Sequence, residues 1–268
     1  MILKHRRILL TGATGGIGEE IAAQLLQSGA SVLLHGRSSE KLNQLLEKFK
    51  YYEGKVEVLS GDLCSAEDRL SLVQTASEIE IDSLINSAGI NEFSLFEQVN
   101  IDKIIQTNVI ATMLLTQALI PQLMGNAKTS LIVNVGSTFG TIGFPGYVAY
   151  CASKHAIKGF TEALSREYSD GDIRILYVSP RATLTEMNDS NATKANEDMG
   201  VKMDAPRLVA SAVVSAILKD QSRSQLGWPE KFQVKVNSLL PFIVDGAIAK
   251  QLPTIKYYLS KKQGNSHV

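Results

Sequence analysis

This sequence of 268 residues contains few cysteines and has a formal net charge of zero. Its two cysteines, Cys64 and Cys151, lie far apart and lack the spacing of metal ligands, so we predict neither a disulfide nor a metal site. The 27 basic residues equal the 27 acidic residues, and the longest basic cluster is Lys4–Arg7. This balance argues against a nucleic-acid-binding surface. A reducing, cytoplasmic location is the prediction that fits these absences.

Long apolar runs and linkers are also missing. The short apolar run Ile8–Leu10 behind the basic N-terminus is too short for a signal peptide. The longest charge-free stretch near the C-terminus falls well below the ~20 residues that a membrane-spanning helix needs. Because no repeat, low-complexity tract or Pro/Gly linker divides the chain, we predict that residues 1–268 form a single domain.

Short apolar runs alternate with longer amphipathic segments up to about residue 220. This alternation is typical of an α/β fold, in which a doubly wound parallel sheet carries helices on both faces. The apolar runs predict six strands: Arg7–Leu10, Ser31–His35, Lys55–Ser60, Ser83–Asn86, Ser130–Val135 and Ile173–Val178.

Two segments depart from this alternation. Residues 181–203 are polar and aperiodic, which predicts a substrate loop that is mobile without substrate. Residues 226–268 form an apolar C-terminal extension with several lysines. We expect it to cover the substrate cleft or a subunit contact, and a peripheral membrane or lipid contact stays open because apolar surface beside lysine suits an interface.

A glycine-rich turn, Thr11–Gly18, joins the first predicted strand to the first helix. Glycines let the backbone approach a pyrophosphate, and the helix N-terminus directs free N–H groups at it. We therefore predict a dinucleotide site formed by Gly12, Thr14, Gly15, Gly16, Ile17 and Gly18.

The second strand ends in His35–Ser38 and lacks the acidic residue that binds the ribose of NAD. Arg37 there can bind a 2′-phosphate, so NADP is favoured over NAD. Further residues at the carboxyl ends of predicted strands complete the expected cofactor site. They are Asp62, a candidate acceptor for the adenine amine, together with Leu63, Asn86, Ala88 and Gly89.

Tyr150 and Lys154 stand four residues apart in a predicted helix and therefore share one face. A cation about 4 Å from a phenol contributes about 4 kcal/mol at an effective dielectric of about 20, which would lower the tyrosine pKa by roughly three units. Tyr150 is thus a candidate general acid and base. Ser137 lies thirteen residues before Tyr150, just after a strand that is predicted to be buried.

These motifs, in this order, together with Asn108 and Pro180, resemble the compact single-domain branch of the short-chain dehydrogenase/reductase family. The resemblance implies a Rossmann sheet of about seven strands and a catalytic tetrad of Asn108, Ser137, Tyr150 and Lys154. It implies that Tyr150 exchanges a proton with a carbonyl oxygen, which Ser137 polarises. Lys154 would lower the Tyr150 pKa and bind the nicotinamide ribose, and Asn108 would hold a water in a proton relay.

The same resemblance places Pro180, Thr183 and Thr185 at the cofactor and implies a homo-oligomer. Three departures from the family pattern are Ser87, where the family has asparagine, Arg181, where it has glycine, and Ser224–Trp228, which with the apolar tail replaces the glycine-rich seventh strand of close relatives. We expect Arg181 to alter how the loop holds the nicotinamide, or to reach toward an acidic substrate or a cofactor phosphate.

The sequence therefore predicts an NADP(H)-dependent oxidoreductase that reduces a ketone or oxidises a secondary alcohol, with an apolar, acyl or steroid-like substrate. The alternatives are a non-catalytic NADP-binding redox sensor and a sugar-nucleotide epimerase-like enzyme.

Overall fold

The protein folds around a seven-stranded, entirely parallel sheet. The structure is a computed structural model that describes residues 1–126 and 128–264, with side chains to residue 261. The strands are β1 Arg7–Thr11, β2 Ser31–Gly36, β3 Val56–Ser60, β4 Ser83–Asn86, β5 Ser130–Val135, β6 Ile173–Ser179 and β7 Arg223–Gln225. Their order in the sheet is β3-β2-β1-β4-β5-β6-β7.

Helices occupy most of the connections between the strands. They are α1 Gly16–Gln27, α2 Ser39–Phe49, α3 Ala66–Glu78, α4 Ile101–Ile105, α5 Ala111–Met124, α6 Val148–Glu167, α7 Ser190–Asp198, α8 Pro206–Leu218, α9 Trp228–Leu239 and α10 Pro241–Gly264. A π-helical turn, Gln106–Ile110, joins α4 to α5.

The sheet is covered on both faces, as predicted. One apolar cluster packs α1, α2 and α8 against the sheet, with Ile21, Leu42 and Val213 among its members. A second cluster on the other face packs α3, α5 and α6, with Leu72 and Leu115 among its members. Strands buried on both faces read as continuous apolar runs, which is why their positions were predictable from the sequence.

The stretch Ile101–Met124 is long and apolar enough to cross a membrane by length and composition alone. Its residues Leu115, Leu119 and Leu123 are buried in the second cluster, against the sheet. Burial of this kind is what a core helix shows, so the stretch is weak evidence for a membrane span.

Two segments differ from their sequence-based description. Residues 181–203 are not a loop throughout, because α7 lies within them, capped where the Asp189 side chain accepts a hydrogen bond from the Ala192 N–H at 2.8 Å. Ala192 and Ala195 bury one face of this short polar helix. Within the predicted C-terminal extension, residues 228–239 form α9 and residues 241–264 form α10, and the far end of α10 packs on α7 through Ile255, Tyr258 and Leu259.

The N-terminal edge of the sheet carries a buried ion pair between Arg6 and Asp82. The Asp82 carboxylate accepts from Arg6 Nη1 at 3.3 Å, from the Arg7 N–H at 3.2 Å and from the Ser83 hydroxyl at 2.7 Å. Arg6 also donates to the Thr129 carbonyl at 2.6 Å. The pair thereby ties β1 to β4 and to the turn before β5.

We expect Asp82→Ala to lower the free energy of unfolding by about 3–5 kcal/mol, because it leaves the Arg6 guanidinium buried without its carboxylate. Urea denaturation measures the change. Glu53→Ala, which breaks the exposed pair with Lys4, is the matched control and should cost less than about 1 kcal/mol. Equal losses in the two variants would contradict the role assigned to burial.

Candidate dinucleotide and active site

A cavity of about 560 Å³ lies at the carboxyl edge of the sheet, where the loops after β1 to β6 meet. Open parallel sheets bind ligands at this edge. Most of the predicted site residues line it: Gly12, Thr14, Gly15, Gly16, Ile17, Gly18, Arg37, Asp62, Leu63, Ala88, Gly89, Ser137, Tyr150, Lys154, Pro180, Thr183 and Thr185. The side chains of Asn86 and Asn108 do not.

The glycines of the first turn divide into two groups. Gly12 has a φ of +68°, and a Cβ there would lie 2.7 Å from the Ala88 backbone; a Cβ on Gly18 would collide with the Gly12 carbonyl. These two glycines allow close packing. Gly15 and Gly16 instead start α1 beside the cavity, and no side chain caps the N-terminus of α1. Open backbone N–H groups at a helix N-terminus fit a pyrophosphate.

Arg37 lies at the end of β2, exposed and on the cavity wall. Within the described residues it forms no ion pair, whereas the nearby Lys41 is paired with Glu186 at 3.1 Å. Gly36 packs against the Thr14 side chain, which closes the turn around the second strand. An unpaired guanidinium beside this turn fits a phosphate group.

Asp62 and Leu63 line the cavity on the far side of β2. The Asp62 carboxylate accepts from the Cys64 N–H at 2.9 Å, and the Asp62 N–H donates to Asp68 at 2.7 Å. These bonds fix the turn after β3, where Asp62 was predicted.

His35 is a site feature that the sequence analysis passed over. The residue is 2% exposed and lines the cavity, and neither ring nitrogen has a hydrogen-bond partner among the residues that the structure describes. Burial lowers the pKa of His35 to about 4, against the opposing effect of Asp68 and Asp62. The available signal was a titratable residue at the end of an otherwise apolar strand.

Tyr150 and Lys154 share one face of α6, as the spacing predicted. The Lys154 ammonium lies 5.6 Å from the centroid of the Tyr150 ring and donates to the Val135 carbonyl at 3.0 Å. Desolvation by the surrounding protein raises the pKa of Tyr150, while a hydrogen bond with Ser137 lowers it by less. Burial lowers the pKa of Lys154 to about 8.

The predicted direction of the Tyr150 pKa is therefore wrong. The expectation counted the attraction of the lysine and left out the cost of placing a phenolate in a desolvated site. In this site that cost dominates, and the same burial lowers the pKa of Lys154, which makes its charged form less favourable.

Ser137 lies at the start of a short 3₁₀ turn after β5, beside Tyr150. Its Oγ accepts from the Phe139 N–H at 3.1 Å, and this bond holds the hydroxyl at the cavity wall. A Cβ on the preceding Gly136 would collide with the Tyr177 ring, so Tyr177 packs directly under the strand end. The Tyr177 hydroxyl lies 3.4 Å from the Ser137 N–H.

Asn108 lies in the π-helical turn and faces protein rather than the cavity. Its amide donates to the Ile90 carbonyl at 2.8 Å and to the Ser153 hydroxyl at 3.0 Å, and its oxygen accepts from the Ile90 N–H at 2.8 Å. π-Helical turns are frequent at functional sites because they redirect one side chain. Asn108 thus links the segment after β4 to α6, and the Gly89 Cα lies beside both Asn108 and Lys154.

Asn86 is buried beneath the site and does not reach the cavity. Its amide donates to Asn134 Oδ1 at 2.9 Å and to Thr116 Oγ1 at 3.1 Å, and the Asn134 amide continues to Thr161 at 2.9 Å. The side chain therefore cross-links β4, β5 and α5. The physical reason is that Asn86 is still within β4, and its side chain points into the layer between sheet and helix.

Arg181 is held by two carboxylates of the protein. Its guanidinium binds both oxygens of Asp204, at 2.7 and 2.8 Å, and lies 3.4 Å from Glu230. Arg181 also lines the cavity, so the expectation that it reaches toward an acidic substrate or a cofactor phosphate stays a prediction. Since Asp204 precedes α8 and Glu230 lies in α9, the arginine joins the loop after β6 to the C-terminal helices.

The remaining wall of the cavity is largely apolar. It includes aromatic residues beside Tyr150, where Phe139 packs on Phe144 with centroids 5.2 Å apart. The C-terminal extension was expected only to cover the substrate cleft. In the structure, α9 and α10 also line the cavity directly, with Phe232, Val236, Ile243, Val244, Ala247 and Ile248.

Comparison with known proteins agrees with this arrangement. The family model described as short chain dehydrogenase matches residues 6–196. Nodulation protein G of Rhizobium meliloti (strain 1021) is 34% identical over 79% of this chain and 89% of its own length. Acetoacetyl-CoA reductase of Acinetobacter sp. (strain RA3849) is 30% identical over 78% of this chain and 86% of its own length.

Two solved structures share the fold. A short chain dehydrogenase/reductase from Burkholderia phymatum, in complex with NAD, has a TM-score of 0.80 at 18% identity and covers 89% of this chain and 94% of its own. A short chain dehydrogenase from Burkholderia cenocepacia J2315, in complex with NADP, has a TM-score of 0.78 at 22% identity, with 92% and 99% covered.

The family model and the named relatives place this chain among the nicotinamide-dependent oxidoreductases. The chain belongs to the short-chain dehydrogenase/reductase family. It is an NAD(P)-dependent dehydrogenase or reductase, as the sequence predicted.

The buried His35 generates a pH prediction. Its pKa is about 4 in the folded protein and about 6.5 in the unfolded chain, so the unfolded chain binds more protons between these values. The stability that neutral His35 contributes is therefore fully present above pH 6.5 and is lost as the pH decreases toward 4. We expect His35 to account for a loss of about 2 kcal/mol between pH 7 and pH 5, measured by urea denaturation.

His35→Leu should flatten this pH dependence, whereas His155→Leu, which removes an exposed histidine of α6, should leave it unchanged. If the His35→Leu protein lost stability on acidification as steeply as the wild type, the assignment would be refuted.

Proposed function

We propose that this protein is an NADP(H)-dependent oxidoreductase that reduces a ketone or oxidises a secondary alcohol on an apolar, acyl or steroid-like substrate. The observation that carries the proposal is the position of the Tyr150 and Ser137 side chains. They lie together on the wall where the polar, glycine-lined part of the cavity meets its aromatic part.

Tyr150 serves as the general acid in reduction. The raised pKa keeps its hydroxyl protonated at neutral pH, which is the form that donates a proton to a carbonyl oxygen. Ser137, beside it, donates a hydrogen bond to the same oxygen, where negative charge develops. In the oxidation direction the same two groups act in reverse.

Lys154 supports the proton transfer through its charge. At 5.6 Å from the ring centroid, the ammonium stabilises the phenolate left when Tyr150 has given up its proton. Its anchoring on the Val135 carbonyl holds it on the cavity wall. Asn108 acts on the site indirectly, by holding Ile90 and Ser153 in place.

A bound nicotinamide dinucleotide supplies or accepts the hydride. The residues that would hold it are the first turn of α1, Arg37, Asp62, Gly89 and the loop Pro180–Thr185, where the Thr185 methyl group packs beside Gly16. The unpaired Arg37 supports NADP over NAD, because it can neutralise a 2′-phosphate.

The apolar substrate class is supported by the cavity wall and by names among the relatives. Besides the acetoacetyl-CoA reductase, a 3alpha-hydroxysteroid dehydrogenase of Mediterraneibacter gnavus is 32% identical over 70% of this chain and 77% of its own length. A homo-oligomer in the cytoplasm and mobility of residues 181–203 remain part of the proposal.

We expect Tyr150→Phe to reduce kcat for ketone reduction about a hundredfold or more, because the phenol is the proton donor. NADPH oxidation over a panel of ketones measures it. Tyr147→Phe, which removes a second buried phenol from the same cavity, should retain most of the activity. Equal turnover in wild type and Tyr150→Phe would overturn the mechanism, and tight NADPH binding without any turnover would favour a redox sensor.

Arg37→Ala should raise KM for NADPH about tenfold or more and leave KM for NADH nearly unchanged, because only NADPH carries the 2′-phosphate. Steady-state kinetics with both cofactors test this. The control Lys48→Gln removes a positive charge from the far end of α2, where Lys48 pairs with Glu19. Parallel changes in both KM values would argue against a phosphate-binding role for Arg37.

A further inference from the structure

We propose that the corner between α9 and α10 docks on an anionic lipid bilayer and opens the cavity toward it. The corner patch is defined as Trp228, Phe232, Leu239, Leu240, Phe242 and Ile243. The docking is independent of catalysis. The consequence that an apolar substrate enters from the bilayer rests on the proposed function.

The corner patch is the main cluster of exposed large apolar side chains on the C-terminal helices. Trp228 and Leu239 are each 79% exposed, Phe242 is 67% exposed and Phe232 is 65% exposed. Trp228, Phe232 and Leu239 fall on one face of α9, at i, i+4 and i+11. Within the described part of α9 no residue is buried, so this apolar face has no partner in the fold.

The patch projects from a supported corner and not from a fraying end. On one side, α9 is fastened to the body of the protein by the Glu230–Arg181–Asp204 cluster. On the other side, α10 is anchored by buried Ile255 and by the Tyr258 hydroxyl, which donates to Asp198 at 2.5 Å. The fold therefore holds the apolar corner outward in water, which needs an explanation.

Charge around the corner selects the partner. Residues 228–261 contain five lysines and two acidic residues, Glu230 and Asp245, although the whole chain has a formal net charge of zero. Glu230 is turned inward to Arg181, so its charge is already paired. Lys231 and Lys235 are exposed on α9, the helix that carries half of the patch, and Lys250 and Asp245 are exposed on α10. A basic rim around apolar and aromatic side chains matches an anionic lipid surface.

The same charges disfavour a second copy of this chain as the occupant. In a two-fold symmetric contact through the patch, the lysine rim of one copy would face the lysine rim of the other. Like charges that meet at an interface cost free energy, whereas anionic lipid headgroups neutralise them.

The patch is continuous with the cavity. Phe232 and Ile243 are both exposed to solvent and part of the cavity wall, and Val236 and Val244 continue the apolar lining inward. An apolar molecule leaving a bilayer at the corner would thus remain in contact with apolar side chains until it reached the aromatic wall near Tyr150.

Flotation with vesicles tests the docking without any turnover, using the full-length protein. The vesicles contain phosphatidylcholine alone or phosphatidylcholine mixed with phosphatidylserine. We expect the wild type to float with the phosphatidylserine vesicles and to be released by high salt. The variant Leu239→Glu/Phe242→Glu should bind at least about tenfold more weakly, because both changes place carboxylates in the inserted region.

A second variant and a control keep the test specific. Lys231→Gln/Lys235→Gln should bind phosphatidylserine vesicles about tenfold or more weakly, at about fivefold for each lysine, and its binding should depend less steeply on salt. Leu70→Glu changes a 59% exposed leucine of α3, outside the patch, and should float like the wild type. Unfolding midpoints in urea verify that all variants are folded.

Three results would overturn the proposal. They are a wild type that stays in solution with both vesicles, corner variants that float as well as the wild type, and a wild-type oligomer that Leu239→Glu/Phe242→Glu dissociates without any vesicle binding. The last would identify the patch as a contact between copies. Corner variants that no longer float but reduce ketones like the wild type would support docking. A wild type that floats but reduces no ketone would refute only the proposed function.

Discussion

The site depends on the close contact between the carboxyl ends of strands β1 and β4. Gly12 lies against the Ala88 backbone, and the Thr11 hydroxyl accepts from the Ser87 and Ala88 N–H groups at 3.2 and 3.3 Å. Here the chain leaves one half of the sheet for the other, since β2 and β3 lie on one side of β1 and β4 to β7 on the other. The loops diverge at this point, and the crevice between them becomes the cavity.

Desolvation governs the chemistry of the groups placed there. Lys154 is 7% exposed and His35 is 2% exposed, and burial disfavours the charged form of each; the same effect raises the pKa of Tyr150. Burial therefore favours the neutral phenol at Tyr150, which is the form that the proposed reduction mechanism needs as its proton donor.

Arg181 gives the loop after β6 a structural task. Where the family pattern has glycine, this chain has a guanidinium that binds Asp204 and Glu230 and so fastens α9 over the cavity. The substitution and the C-terminal helices depend on each other, because Glu230 belongs to α9. The same cluster holds the apolar corner outward, which connects the shape of the cavity to the surface around its mouth.

Three features could be predicted from the sequence: the parallel sheet, the glycine turn, and the position of Tyr150 and Lys154 on one face of a helix. Each of these follows from short-range periodicity: buried strands read as apolar runs, and residues four apart share a helix face. Tertiary structure alone decided the inward turn of Asn86, the partners of Arg181 at positions 204 and 230, the helix within residues 181–203 and the direction of the Tyr150 pKa. These features depend on contacts between residues distant in sequence and on the desolvation that such contacts produce, and neither has a local pattern from which it could be predicted.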